Sequence, residues 1–169
     1  MNARLLTPED ASAYVALRRE ALLDAPWAFG ASPGTDKGSD AEHMRRSLGS
    51  PGFAVAGAFE SGRLIAAAGL IRDDQPKRAH VTTVWGVYTT PGSRRRGLGR
   101  AVVALAIQTA RSWAGVAQVQ LSVNENSPAA LALYESLGFR RWGTEPDCLR
   151  VNGRSYAEVH LSLHFDGPN

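Results

Sequence analysis

A mixed α/β domain built around one sheet is the fold class this sequence predicts, and three observations lead there. Runs rich in Val, Ile, Thr, Trp and Tyr alternate with segments of three-to-four apolar periodicity. Gly, Pro, Asn and Asp cluster between those segments as turn formers do. The 169 residues, 44% hydrophobic and 21% charged, match one globular domain in size and composition.

Taken in order, residues 3–7 form a short apolar strand. Thr7, Pro8, Glu9 and Asp10 then start a helix, with Thr at the N-cap, Pro at the first position and acids in the first turn. Tyr14, Val15, Arg18, Ala21 and Leu22 repeat along it as one stripe. Residues 30–40 are the one loop of any length, and 40–50 read as a second short helix ended by Gly49. Strands 53–60 and 63–72 are joined by the hairpin signal Ser61-Gly62, and a third strand, 79–90, follows the turn at 73–77. Gly97-Leu98-Gly99 opens a helix reaching about Trp113, apolar on most sides and therefore largely buried. Residues 117–124 alternate as a strand, Ser127-Pro128 starts the next helix, and Gly138 closes it. Strands 139–146 and 154–163 end the chain in the order β-α-α-β-β-β-α-β-α-β-β.

Composition narrows the function classes. No run approaches the roughly 18 apolar residues of a membrane helix, and the first ten residues lack a secretory apolar stretch, so neither membrane nor signal peptide is expected. The single cysteine, Cys148, excludes an intrachain disulfide and fits a reducing cytoplasm. A net charge of +3 is modest for a nucleic-acid binder, and the arginines fall in short separate groups. No metal is expected.

One of those arginine groups differs from the rest. Arg94-Arg95-Arg96-Gly97-Leu98-Gly99-Arg100 follows a strand and opens a helix. The first turn of a helix leaves backbone N–H groups unpaired and carries partial positive charge. Glycines let a ligand approach that backbone, and arginines add forked donors. The assembly suits a phosphate or pyrophosphate. It is not a P-loop, because no Gly-Lys-Ser/Thr follows, and it lacks the third glycine of a dinucleotide fingerprint. A solvated basic turn with glycines as helix punctuation is the other reading.

Arg94-x-x-Gly97-x-Gly99, after a strand ending at Thr89-Thr90-Pro91, resembles the Arg/Gln-x-x-Gly-x-Gly/Ala signature of the GNAT superfamily of N-acetyltransferases. Residues 126–140, with Asn126, Leu133-Tyr134 and Leu137-Gly138-Phe139, resemble that family's second conserved segment, and the element order agrees over essentially the whole chain. The resemblance implies one domain, residues 1–169, with a central mixed, mostly antiparallel twisted sheet flanked by about four helices. It implies acetyl-coenzyme A as cofactor, its pyrophosphate cradled by the backbone amides of Arg95, Arg96, Gly97, Leu98, Gly99 and Arg100, with Arg94 beside them. The strand before the glycine turn splays from strand 118–124, and the pantetheine arm lies in the gap. Backbone groups of Val87, Tyr88 and Thr89 then meet its amides and the thioester carbonyl, where an N–H stabilises developing negative charge.

By the same resemblance Tyr134 is the general acid for the departing thiolate, because a phenol stays protonated at neutral pH. Asn126 contacts the cofactor arm, although it lies one residue further from Tyr134 than the family's commonest spacing. The family's strand glutamate is replaced by Thr83, which can order a water but cannot act as a base. His80, Glu145 and Glu158 are the alternatives, each equally readable as a surface or ion-paired residue, and deprotonation by solvent stays open. Cys148 has no His partner near it in sequence and is rejected as a nucleophile.

The resemblance also implies an acceptor pocket built from the first helices, their loop and the last hairpin. Trp27, Phe29, Thr83, Trp85 and Glu158 are its candidates, with core anchoring the competing role for the aromatics. The acceptor is a small-molecule or peptide amine, and a homodimer through the last strands is an option many family members use. A non-catalytic acyl-coenzyme A sensor on the same fold is the alternative function.

Overall fold

The computed structural model describes residues 3–165. Seven strands, Ala3–Leu5 (β1), Phe53–Glu60 (β2), Arg63–Arg72 (β3), Val81–Thr89 (β4), Gln118–Asn124 (β5), Arg140–Val151 (β6) and Arg154–His164 (β7), form one sheet in the order β1-β2-β3-β4-β5-β7-β6. Every neighbouring pair is antiparallel except β4–β5. Four α-helices accompany it: Ala11–Asp24 (α1), Ala41–Leu48 (α2), Leu98–Ser112 (α3) and Pro128–Ser136 (α4). The element order and the mixed, mostly antiparallel sheet agree with the expectation. No described helix is long and apolar enough to cross a membrane.

The first helix starts later than expected: Pro8–Asp10 is a 3-10 turn and α1 begins at Ala11, while hydrogen bonds fix the ends of several elements. Asp10 accepts the Thr7 backbone N–H at 2.8 Å and is gripped by Arg4 at 2.6 Å, which fixes the entry to α1. Asp40 caps α2 by accepting from the N–H groups of Glu42 and His43. Ser61 and Gly62 both take positive φ, the two-residue hairpin turn that joins β2 to β3. Near the end of the chain the sequence reading names both final strands but ends the first of them too early. β6 does not end at 146; it passes a bulge at Asp147, φ +53, and runs to Val151, because Asn152 and Gly153, also at positive φ, make the true hairpin turn.

The sheet has a core on each face. On one, α3 settles on β2 and β3 through Ala56, Ala58, Ala66 and Ala68 against Val102, Val103 and Ala106; small strand residues let this apolar helix approach closely. The α1 stripe, Tyr14, Val15 and Ala21 with Leu17, packs on the other face with Met44, Val55, Leu64 and Ala67. Between them β4 is irregular. Gly69 of β3 pairs with Trp85, but Ala67 pairs with Tyr88, so β4 carries one extra residue at Gly86, φ +62. The bulge resets the alternation: Val84 and Val87 face α3, while Trp85 and Tyr88 face α1.

Two consequences are measurable. A Cβ on Gly69 would stand 2.3 Å from the Trp85 indole, so Gly69→Ala is expected to cost about 1–3 kcal/mol by overpacking, read as a lower melting temperature. The Asp10 carboxyl is drawn down to about 2, chiefly by the Arg4 hydrogen bond. Its ionised form is favoured in the folded state, so its contribution is full above about pH 4 and is lost as pH falls toward 2. Asp10→Asn is expected to flatten the acid side of the melting-temperature profile.

Candidate active site

The site begins where β4 and β5 part. Their parallel pairing covers only Val81–Thr83 against Gln118–Gln120. Beyond it β4 is held by β3 alone and β5 by β7 alone, so a wedge opens between two strands that are each secured from outside. Helices α3 and α4 start beside that wedge and line, with the ends of β4 and α1, a cavity of about 650 Å³. Val87, Tyr88 and Thr89 supply one wall. Ala129, Ala130 and Leu133 of α4 supply an apolar wall opposite.

At one end lies the glycine turn. Arg95 and Gly97 both have positive φ, +62 and +79, and Gly97 is the N-cap of α3. For arginine that conformation costs about 1–2 kcal/mol, a strain that natural chains keep chiefly at functional positions. A Cβ at Gly97 would meet nothing, so its glycine is required by conformation; one at Gly99 would project toward Leu133 and Thr89, into the cavity lining. Successive N–H groups in such a turn, at the positive end of a 15-residue helix, form a concavity suited to an anion. These features of the turn fit a pyrophosphate.

The arginines divide their work. Arg95 and Arg100 line the cavity, and Arg100 is steadied by Ser136 Oγ at 2.7 Å. Arg94 lines it too, but its guanidinium is engaged: Nη2 pairs with Asp24 at the end of α1, and Nε donates to the Thr89 carbonyl at 3.1 Å. Tyr88 Oη has its one proton to share between Asp24 at 3.1 Å and Glu20 at 3.3 Å; burial, followed by the Asp24 contact, pushes its phenol well above the usual range. Arg96 lies outside the cavity lining, its side chain bound to Glu60 at the end of β2.

Tyr134 closes the other side. It is 5% exposed, meets Phe139 edge-on at 6.0 Å, and still lines the cavity; burial raises its phenol well above the ordinary value. Asn126 lines the cavity at the entry to α4. Its backbone N–H is held by Asn124 Oδ1 at 2.9 Å, while Asn124 Nδ2 donates to the Trp27 carbonyl at 2.9 Å. Asn124, 1% exposed, thus links the α1–α2 loop to α4, a role that its place at a strand end did not announce.

Of the acceptor candidates, only Trp27 lines this cavity. Phe29 and Trp85 pack in the α1-side core, Phe29 against Tyr88 and Trp85 against Tyr14 and Phe53. Thr83 sits where the strands are still paired and receives the Gln120 amide at 3.3 Å. Glu158 lies opposite Asn124 on β7. With Glu145 it flanks Cys148, whose thiol is raised to about 11 by burial and then by these two carboxylates. Such a thiol is protonated at neutral pH, in keeping with its rejection as a nucleophile. Ala25, Ser93, Ser127 and Leu133 line the cavity without having been anticipated. Only Leu133 carried a signal, its helical spacing from Ala129 and Ala130.

Comparison with known proteins agrees with this architecture. The fold superposes on an acetyltransferase of the GNAT family from Streptococcus pneumoniae with a TM-score of 0.85 at 20% identity, covering 96% of this chain and 98% of that one. It superposes equally, TM-score 0.85 at 22% identity over 100% and 96% of the two chains, on YncA, a putative acetyltransferase of Salmonella typhimurium solved with its cofactor acetyl-CoA. In sequence it is 34% identical to the N-alpha-acetyltransferase RimI of Mycobacterium tuberculosis over 88% of this chain and 84% of that protein. It is 31% identical to the mycothiol acetyltransferase of Salinispora tropica over 79% of this chain but only 42% of that longer protein. The profile of the acetyltransferase (GNAT) family matches residues 16–139, most of the domain and both segments around the cavity. The chain belongs to the GNAT family of acetyltransferases.

Proposed function

We propose that this chain is an N-acetyltransferase that moves the acetyl group of acetyl-coenzyme A directly to a primary amine in a ternary complex. One observation carries the reading: the strained glycine turn, the end of β4 where it parts from β5, and the buried Tyr134 line a single cavity. Acetyl-coenzyme A supplies the activated thioester. The backbone of residues 95–100 holds the pyrophosphate, with the Arg95 and Arg100 side chains adding charge. Val87, Tyr88 and Thr89 present main-chain groups along the wedge to the pantetheine arm and the acetyl carbonyl, and Asn126 borders that arm. Arg96 contributes through its main chain while its side chain braces Glu60.

Tyr134 keeps its proton at neutral pH and delivers it to the leaving sulfur. No base is drawn from the wedge. Asp24 is the one carboxylate in the cavity lining among the described residues, and Arg94 and Tyr88 already hold it. His80 stands at the paired end of β4, and Glu145 and Glu158 flank Cys148 on the last hairpin, outside the lining. Deprotonation of the amine is therefore assigned to solvent, with Thr83 able to order water. The acceptor is an amine on a small molecule or a peptide and approaches past Trp27, whose turn is pinned by Asn124. Phe29 and Trp85 shape that side from the core, and Glu158 borders it. The matched relatives, named for mycothiol and for N-alpha acetylation, span both acceptor classes. A reducing cytoplasm suits the lone Cys148. Pairing of two copies would use the edge strand β6. The sensor alternative has less support, since it leaves Tyr134 without a task.

Calorimetric titration tests the cofactor site. The wild type is expected to bind acetyl-coenzyme A, and the Arg95→Glu, Gly97→Glu double variant to lose that binding; a wild type that binds nothing would remove the reading. Tyr134→Phe is expected to lower kcat about 100-fold with cofactor affinity nearly unchanged, measured by thiol release with an amine panel. Because burial raises this phenol, kcat should show no descending limb from it below about pH 10. A descending limb in the neutral range that disappears in Tyr134→Phe would contradict the raised titration of the phenol, whereas a kcat unchanged in Tyr134→Phe would contradict the acid assignment.

A further inference from the structure

Three polar groups on the α1 side of β4 are left over once every interaction has been assigned. Tyr14 Oη, Arg18 Nη1 and Trp85 Nε1 are sealed from solvent, and none has a hydrogen-bond partner among the described residues. The rest of Arg18 is used: Nε and Nη2 donate to the two Asp36 oxygens at 3.0 and 3.1 Å, in a pair only 7% and 8% exposed. The first two leftover groups converge. A side-chain carbon on Gly86 would stand 3.6 Å from Arg18 Nη1 and 3.7 Å from Tyr14 Oη, and the positive-φ bulge favours glycine there, which keeps that space clear. The Trp85 ring adjoins them, meeting Tyr14 edge-on at 6.3 Å. Leaving a buried donor unmatched costs about 1–3 kcal/mol, and folded interiors rarely do so.

We propose that Tyr14 and Arg18 form, beside Gly86, a buried site for one neutral hydrogen-bond-accepting oxygen on the acceptor side of β4. The chemistry of the groups sets the class of ligand. A guanidinium N–H can only donate, so the occupant must accept. Burial raises the Asp36 carboxyl, but the hydrogen bonding and charge of Arg18, with the hydrogen bonds from Ser39 and the Gly38 backbone, together outweigh it and leave it low, so Asp36 is ionised and already balances the Arg18 charge. A carboxylate would bring an uncompensated charge into the interior, whereas a neutral oxygen would not. Position sets the possible sources. The Phe29 ring lies 5.0 Å from the Arg18 guanidinium and 6.5 Å from the ring of Tyr88, which lines the cavity. This one ring thus stands next to both the site and a residue of the cavity wall. The oxygen then belongs either to a fixed water or to a carbonyl beside the acceptor amine, as in a peptide or amino-acid amide. The second source rests on the acetyl-transfer reading above.

Crystal structures of the wild type with coenzyme A, grown with and without L-alaninamide, test the site directly. An oxygen within about 3 Å of both Tyr14 Oη and Arg18 Nη1 is expected. Density that is the same in both crystals identifies the water, and density continuous with alaninamide identifies the carbonyl. Absence of an oxygen in both, or donors turned onto a protein carbonyl, overturns the proposal. Kinetics separates the sources independently through Tyr14→Phe, which keeps the ring and removes the hydroxyl. A carbonyl occupant raises the ratio of KM for alaninamide to that for n-propylamine about 5- to 10-fold, the worth of one hydrogen bond, whereas a fixed water leaves the ratio as in the wild type. Failure of both amines as acceptors would count against the acetyl-transfer reading with these substrates, while the crystallographic result would still decide the oxygen site.

Discussion

Everything the site can do depends on β4 and β5 separating after three register pairs. A strand edge inside a sheet ordinarily exposes backbone donors and acceptors that must find partners. Here the outer ladders, β3 on β4 and β7 on β5, hold each strand in place without the other, so the wedge can stay open without disturbing either half of the sheet. The inner edges are left for a ligand that can itself donate and accept, and an amide-bearing arm has that chemistry. Two helices begin beside the opening, so an unpaired main-chain edge and a positive helix end share one cavity.

Charge around that cavity is sorted by geometry rather than by abundance. Three consecutive arginines suggest a uniform cluster, yet the turn sends them in different directions. Arg94 bridges to α1 through Asp24, Arg96 braces the end of β2 through Glu60, and Arg95 lines the cavity with Arg100. The first two secure the loop whose backbone must keep its shape. Strain at Arg95 persists because the surroundings over-determine the turn: the Arg94 bridge lies on one side and the Gly97-capped helix on the other.

On the α1 side, the bulge at Gly86 is the corresponding device. It turns Trp85 and Tyr88 to the same face and leaves room beside Tyr14 and Arg18. A regular strand would have put Val87 with Trp85 and buried Tyr88 against α3. Strict alternation was the sequence's only guide to facing, and a single extra residue inverts it. For the same reason Thr83, Trp85 and Phe29, all reasonable pocket residues by type, lie beside the cavity without lining it.

Local signals alone determined a good deal: the order of the elements, the cap at Asp40, the Ser61-Gly62 hairpin, the buried stripe of α1 and the glycine turn opening α3. Each depends on residues within a few positions of one another, where backbone preference and hydrogen bonding to near neighbours suffice. Tertiary structure alone decided the rest: which arginine faces the cavity, that Asp24 belongs to its mouth, that Asn124 holds the Trp27 turn, and that β6 continues past its bulge. Those outcomes join residues separated by up to 97 positions, as Asn124 is from Trp27. No local periodicity encodes such a pairing, because it exists only once the sheet has brought the elements together.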